Sequence, residues 1–299
     1  MKRVLQQLGV YKKDALLCVG LTTLEVIMEI LLPFITARLI AEGLEASNLS
    51  AVYRYGAVLV VMALFSLIFG ATAGRFAASA SSGLAANLRE AIYANIQTFS
   101  FSNIDKFSVP GLVTRMTTDI TNVQQAFMMV IRIAVRSPLS LIFSFAMCMY
   151  INVELSLTFL IALAFLVVVV GAIMVVTLRI FSQVFRKYDD LNASVQENVS
   201  AIRVVKAFVR GDYESERFAG TVEDLRHAQL SSARLFTLTG PIQMGIMWTC
   251  TVLLLLFGGR EIIFGTTGLL TGQLVSLVSY STQAVSSLTM LSWLLMSLS

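Results

Sequence analysis

Long stretches with no charged side chain dominate this chain and leave it few ways to fold. Leu155–Leu178, Leu235–Gly259 and Ile262–Ser299 hold no Asp, Glu, Lys or Arg, and Tyr55–Gly74 and Ser137–Val153 are likewise uncharged. A helix crosses the hydrocarbon of a bilayer with about 20 mostly apolar residues. Lipid offers no hydrogen bonds, so such segments must satisfy their own backbone, and a helix does so locally. A sixth apolar stretch, Ala15–Ile40, is interrupted by Glu25, Glu29 and Arg38. Only 13% of the residues are charged, about half the fraction of a soluble domain. The expected fold class is all-α: a polytopic membrane protein, one domain over residues 1–299, with spans near 15–40, 52–80, 128–151, 155–180, 235–259 and 272–299.

The connections differ in length and charge. Those around Glu42–Ala51, Ile151–Glu154 and Arg260–Gly272 are short and poor in basic residues. The N-terminus carries Lys2, Arg3, Lys12 and Lys13, and the last long connection carries nine arginines and lysines between Arg179 and Arg234. Basic residues favour the cytoplasmic side, which places both ends and both long connections (81–127 and 181–234) there, in the cell (inner) membrane. Met1-Lys2-Arg3 resembles the basic end of a signal peptide, but the apolar segment after it lacks a small-residue cleavage site and reads as a retained first span. The net charge of +4 lies mainly in these loops and calls for no nucleic acid.

The helical pattern continues past the spans. From Val52 to about Ser100 no proline intervenes, roughly 70 Å of helix at 1.5 Å per residue, more than twice the hydrocarbon thickness. Leu155 to about Val209 behaves alike, and helices return from Gly111 and Tyr213. Two helical hairpins therefore extend into the cytoplasm, with turn chemistry at Pro110-Gly111 and Gly211-Asp212.

Charges inside spans are expensive, on the order of 3 kcal/mol at the bilayer centre. Glu25 and Glu29 lie four apart on span one, Arg132 and Arg136 four apart on span three. Counting back from the outer ends puts Glu29 and Arg136 roughly 20–25 Å deep, with Glu25 and Arg132 one turn lower. A two-rung ladder, Glu29 with Arg136 and Glu25 with Arg132, follows; it serves either to orient the two spans or to set cavity electrostatics. Ser66, Gly70, Gly74, Ala78 and Ser82 form a small-residue stripe for close helix packing. Ser276, Ser279, Tyr280, Gln283, Ser286 and Ser287 form a polar stripe on span six, which faces a translocation cavity or packs against other helices. Pro33, Pro138 and Pro241 should each kink a span. Cys18, Cys148 and Cys250 read as buried structural residues, with neither disulfide nor metal, and the lone His227 as a solvated side chain. No segment matches a phosphate-binding loop, so these 299 residues are expected to have no enzymatic activity and to bind no cofactor.

Several ordered segments resemble the transmembrane domain of ABC exporters of the six-helix type with long intracellular loops. Ile104-Asp105 with Arg115-Met116-Thr117-Thr118-Asp119 matches the first loop. Glu197-Asn198 through Arg203-Val204-Val205-Lys206-Ala207-Phe208, with Glu216-Arg217-Phe218, matches the second. Gly272-Gln273-Leu274-Val275 and Tyr280 match the start of the sixth helix. Met128 to Pro138 and the series Glu25, Glu29, Pro33 and Arg38 look most like one subunit of a heterodimeric bacterial multidrug exporter.

The resemblance implies that Phe107, Ser108, Val109, Gly111 and Leu112, and Phe208, Arg210, Gly211, Asp212, Tyr213 and Glu214, contact nucleotide-binding domains. There are departures: Gly211 stands where the second tip commonly has Glu, Pro110 where the first usually has Gly, and Ala201 replaces another common Gly. It further implies a second transmembrane subunit, a heterodimer rather than a homodimer, and hydrophobic or amphipathic cargo such as drugs or lipids. ATP and Mg would belong to nucleotide-binding domains, and the chain is expected to be an isolated or truncated transmembrane domain of an ATP-hydrolysing translocase. The alternatives are a membrane scaffold or sensor for cytosolic partners, and an ion-coupled transporter using Glu25 and Glu29.

Overall fold

In the computed structural model, residues 6–100, 107–265 and 268–297 are described. The loop motif Ile104-Asp105, the basic Lys2 and Arg3 and the final Ser299 fall outside them. The described residues form six long helices and no strand. They are α1 (Gly9–Glu45), α2 (Leu49–Gln97), α3 (Val109–Ile151), α4 (Val153–Ala207), α5 (Gly211–Phe264) and α6 (Thr271–Ser297). Five segments among the described residues, in α1 to α5, are long and apolar enough to cross a membrane. The sixth helix has the length, but its serines and Gln283 dilute its apolar character.

Local chemistry sets the helix boundaries. The Asn48 side chain accepts a hydrogen bond from the Ala51 N–H at 3.2 Å, capping α2. Pro110 occupies the first turn of α3, where its missing N–H costs nothing. Asn152 accepts from the Leu155 N–H at 3.0 Å at the start of α4 and also donates to Glu261 of α5 at 3.0 Å. Pro33, Pro138 and Pro241 all lie inside helices. Beyond Pro33, α1 widens into π turns over Leu39–Glu45, and α3 does so over Arg115–Asp119.

The chain divides into two compact units. The first comprises Met1–Leu160 and Cys250–Ser299, and the second Ile161–Thr249. In the first, α1 packs against α2, α3 and α6, and α3 packs against α2 and α6. Small residues make these approaches close: Ala73, Ala77, Ala80 and Ala85 of α2 are buried, and the Tyr11 ring fills the space that a Cβ on Gly83 would need. Asp14 accepts from the Ser79 hydroxyl at 2.6 Å, tying the start of α1 to α2. Cys18, Cys148 and Cys250 are all free and buried.

In the second unit, polar pairs fix the register of α4 against α5. Gln229 donates to Tyr188 at 2.7 Å, Lys187 to Asp224 at 3.0 Å, Arg217 to Glu197 at 3.4 Å and Asn198 to Glu214 at 3.1 Å. As the α4 number rises the α5 number falls, so the two helices run antiparallel through this region. Asp224 hydrogen-bonds the exposed Lys187 and raises its pKa, while Arg226 holds Glu223 below the usual carboxylate value.

Candidate functional site

Glu25 and Glu29 lie one turn apart on α1, so both face the same neighbour. That neighbour is Arg136 of α3. Its Nη1 donates to Glu25 Oε1 at 2.5 Å, and its Nη2 donates to both Glu29 oxygens at 2.6 and 2.9 Å. One planar guanidinium thus holds two carboxylates, which its fork of donors permits. The glutamates and Arg136 are mostly withdrawn from solvent, with side-chain exposures of 8%, 25% and 26%.

This differs from the two-rung ladder expected above. Arg132 makes no ion pair among the described residues; its Nη1 lies 3.6 Å from where a Cβ of Gly74 would stand. The reason is reach: a long, forked arginine spans a full helical turn and collects both acids, leaving the lower arginine to α2. The small stripe on α2 takes part in the same joint. A Cβ on Gly70 would fall 2.8 Å from Glu25 Oε1, so glycine there makes room for the carboxylate. The second Glu25 oxygen and the hydroxyls of Thr22 and Ser137 are buried without a hydrogen-bond partner among the described residues.

The polar stripe of α6 divides between two environments. Ser276 and Tyr280 are buried, and their hydroxyls donate to the Pro33 carbonyl at 2.6 Å and the Ile30 carbonyl at 2.8 Å of α1. A proline inside a helix disturbs the backbone ladder around it, and α6 supplies donors at that place. One turn before Ser276, the missing Cβ of Gly272 lets the α6 backbone close on the Ala37 carbonyl. Gln283 accepts from Ser144 of α3 at 3.2 Å, while Ser287 turns back to the Gln283 carbonyl. Ser279 is half-buried and bonds within its own helix; Ser286 is exposed. Ser276, Tyr280 and Gln283 thus bond to neighbouring helices, and Ser286 is the exposed member. No sequence period signals the α1 carbonyls as partners.

The two turns expected to meet nucleotide-binding domains are largely exposed. At the first, Phe107 stacks on Phe99 at 5.7 Å and lies under Arg115 at 5.2 Å, with Ser108, Val109, Gly111 and Leu112 opening α3. At the second, Phe208 is 74% and Tyr213 58% exposed, with Arg210 over the Tyr213 ring at 5.8 Å and Gly211, Asp212 and Glu214 opening α5. Val209 links the helices at φ 55°, and the Arg210 N–H bonds the Val205 carbonyl at 3.0 Å, closing α4 with a left-handed cap that usually takes glycine.

The family model described as the ABC transporter transmembrane region matches residues 15–288. The chain belongs to this family. An uncharacterized ABC transporter ATP-binding protein, YfiB of Bacillus subtilis (strain 168), is 28% identical over 99% of the chain and 51% of its own length. Another uncharacterized ABC transporter ATP-binding protein, from Mycobacterium tuberculosis (strain CDC 1551 / Oshkosh), is 25% identical over 93% of the chain and 47% of its length. An ATP-dependent lipid A-core flippase of Desulfotalea psychrophila is 30% identical over 52% of the chain and 27% of its own length. The chain thus spans about half the length of the first two relatives. As an ABC transporter transmembrane region it is an integral membrane protein, and the Glu25–Glu29–Arg136 joint lies within its first and third apolar helices.

Proposed function

We propose that this chain is the membrane part of an ATP-driven exporter, with six spans and two helical hairpins reaching the cytoplasm, where both ends also lie. With a second such domain, a different chain rather than a copy, it would enclose a path open alternately to either side. Amphipathic or hydrophobic compounds, drugs or lipids, are the cargo, and the names of the flippase relatives favour lipids. Nucleotide-binding domains, distinct from these helices, would bind ATP with Mg and hydrolyse it. The turns at Phe107–Leu112 and Phe208–Glu214 would receive the resulting movement.

The family match over residues 15–288 carries this reading. The exposed aromatic turns support it, because Phe208 and Tyr213 offer a surface for another domain. The test is reconstitution of the chain in liposomes with its ATPase domains and a second transmembrane chain. ATP hydrolysis stimulated by an amphipathic compound, and lost on Phe208→Ala, is expected. Hydrolysis indifferent to every such compound would overturn export.

A further inference from the structure

At the end of the first unit where α1 and α3 finish and α6 begins, a cleft of about 370 Å³ opens between Phe34, Arg38, Glu42, Tyr150, Leu270 and Gln273. Its polar groups are unevenly committed. The Glu42 carboxylate already accepts from the Tyr55 hydroxyl at 2.5 Å and faces Arg54 at 3.7 Å. Arg38 makes no ion pair among the described residues; its guanidinium sits over the Phe34 ring at 5.1 Å. Gln273 uses its side-chain oxygen on the Leu270 N–H at 3.0 Å, which fixes the amide orientation and leaves the NH2 as a donor. Tyr150, 76% exposed and tilted against Phe34 at 6.4 Å, adds a hydroxyl. The cleft therefore presents a guanidinium, an amide and a phenol as donors, while its carboxylate is occupied elsewhere.

We infer that this cleft binds the oxyanion of an anionic amphiphile, a phosphodiester or carboxylate, with its apolar body against Phe34, Tyr150 and Leu270. Charge decides the sign of the guest. A cation would meet an unneutralised guanidinium, whereas an oxyanion gains charge-assisted hydrogen bonds from it. Depth decides the amphiphile: Arg38 lies seven residues, or roughly 10 Å, from the end of α1, at headgroup level for a helix in a bilayer, with apolar surface beside it. The volume suits a headgroup with its glycerol, leaving the acyl chains in the membrane. The leaflet it faces, the outer one, rests on the topology proposed above; the binding does not.

The test is native mass spectrometry of the full chain in detergent, titrated with short-chain phosphatidylglycerol, phosphatidylcholine or inorganic phosphate, without ATP. Phosphatidylglycerol should bind at least about tenfold more tightly than phosphatidylcholine. Arg38→Gln should abolish that preference with helicity by circular dichroism intact, and Arg38→Lys, which keeps the charge, should retain most of it. Equal binding of both lipids, an unchanged Arg38→Gln protein, or equal losses in the Gln and Lys variants overturns the site. Displacement of the lipid by an equal concentration of inorganic phosphate overturns the amphiphile in favour of a free anion. Because ATP is absent, a negative result leaves export untouched, and failed export leaves this binding untouched.

Discussion

Arg136 neutralises two carboxylates with one guanidinium, and that sharing determines the outcome of each substitution. Replacing Arg136 by Met leaves Glu25 and Glu29 together without a cation, and removing one partner of a buried ion pair costs about 3–5 kcal/mol. The Arg136→Met protein should unfold at clearly lower temperature in detergent, and adding Glu25→Gln with Glu29→Gln should recover most of the loss. If the triple variant is no more stable than the single one, the three residues do not act together. Gly70→Ala tests the same joint from α2. Its Cβ would press on Glu25 Oε1 at 2.8 Å, an overpacking expected to cost about 1–3 kcal/mol. Gly20→Ala on α1, with nothing within 4 Å, should instead stabilise by about 1 kcal/mol through helix propensity. Glu25, Glu29 and Arg136 are legible in the sequence, because a charge in an apolar run must find compensation. Their pairing is not, since an arginine reaches more than a full turn and spacing alone cannot say which acid it takes.

Helix α6 is joined to α1 by a row of small contacts one turn apart: Gly272 on Ala37, Ser276 on the Pro33 carbonyl and Tyr280 on the Ile30 carbonyl. Tyr280→Phe keeps the ring and removes the donor, so it should cost about 1 kcal/mol. Gly272→Ala drives a Cβ into backbone, which cannot yield as a side chain can, and should cost more; thermal unfolding of the two variants in one detergent ranks them. Here the polar stripe is legible as a face, but its partner is a set of main-chain carbonyls, which leave no trace in side-chain pattern. The α4–α5 pairing makes a different prediction. Asp224 raises the pKa of Lys187, so the contact contributes fully below the unfolded lysine pKa and is lost as pH rises through the folded one. At low salt, melting followed by circular dichroism should fall across that alkaline window. The fall should vanish in Lys187→Met, and also in about 1 M salt, where the Debye length shrinks to about 3 Å.

For the whole molecule, long uncharged runs make the all-helical membrane class legible, and the turn chemistry at Pro110-Gly111 and Gly211-Asp212 falls at the starts of α3 and α5. The cost of exposing backbone to lipid leaves helices as the only economical solution for such runs. Sidedness is a separate matter, carried by the distribution of Lys and Arg, and it yields a prediction for the intact protein. Ser47, between α1 and α2, and Gly268, before α6, belong to the short connections; Val109 and Asp212 belong to the turns of the two long ones. Single cysteines at these four places, in a background with Cys18, Cys148 and Cys250 replaced by alanine or serine, report the side through a membrane-impermeant maleimide. Intact cells should label positions 47 and 268 and spare 109 and 212, and inverted vesicles should do the reverse. Labelling of 109 and 212 from opposite sides would break the proposed paired-hairpin topology, which requires both turns to emerge on the same face. Both turns outside would invert it, leaving Phe208 and Tyr213 where no nucleotide-binding domain could reach them.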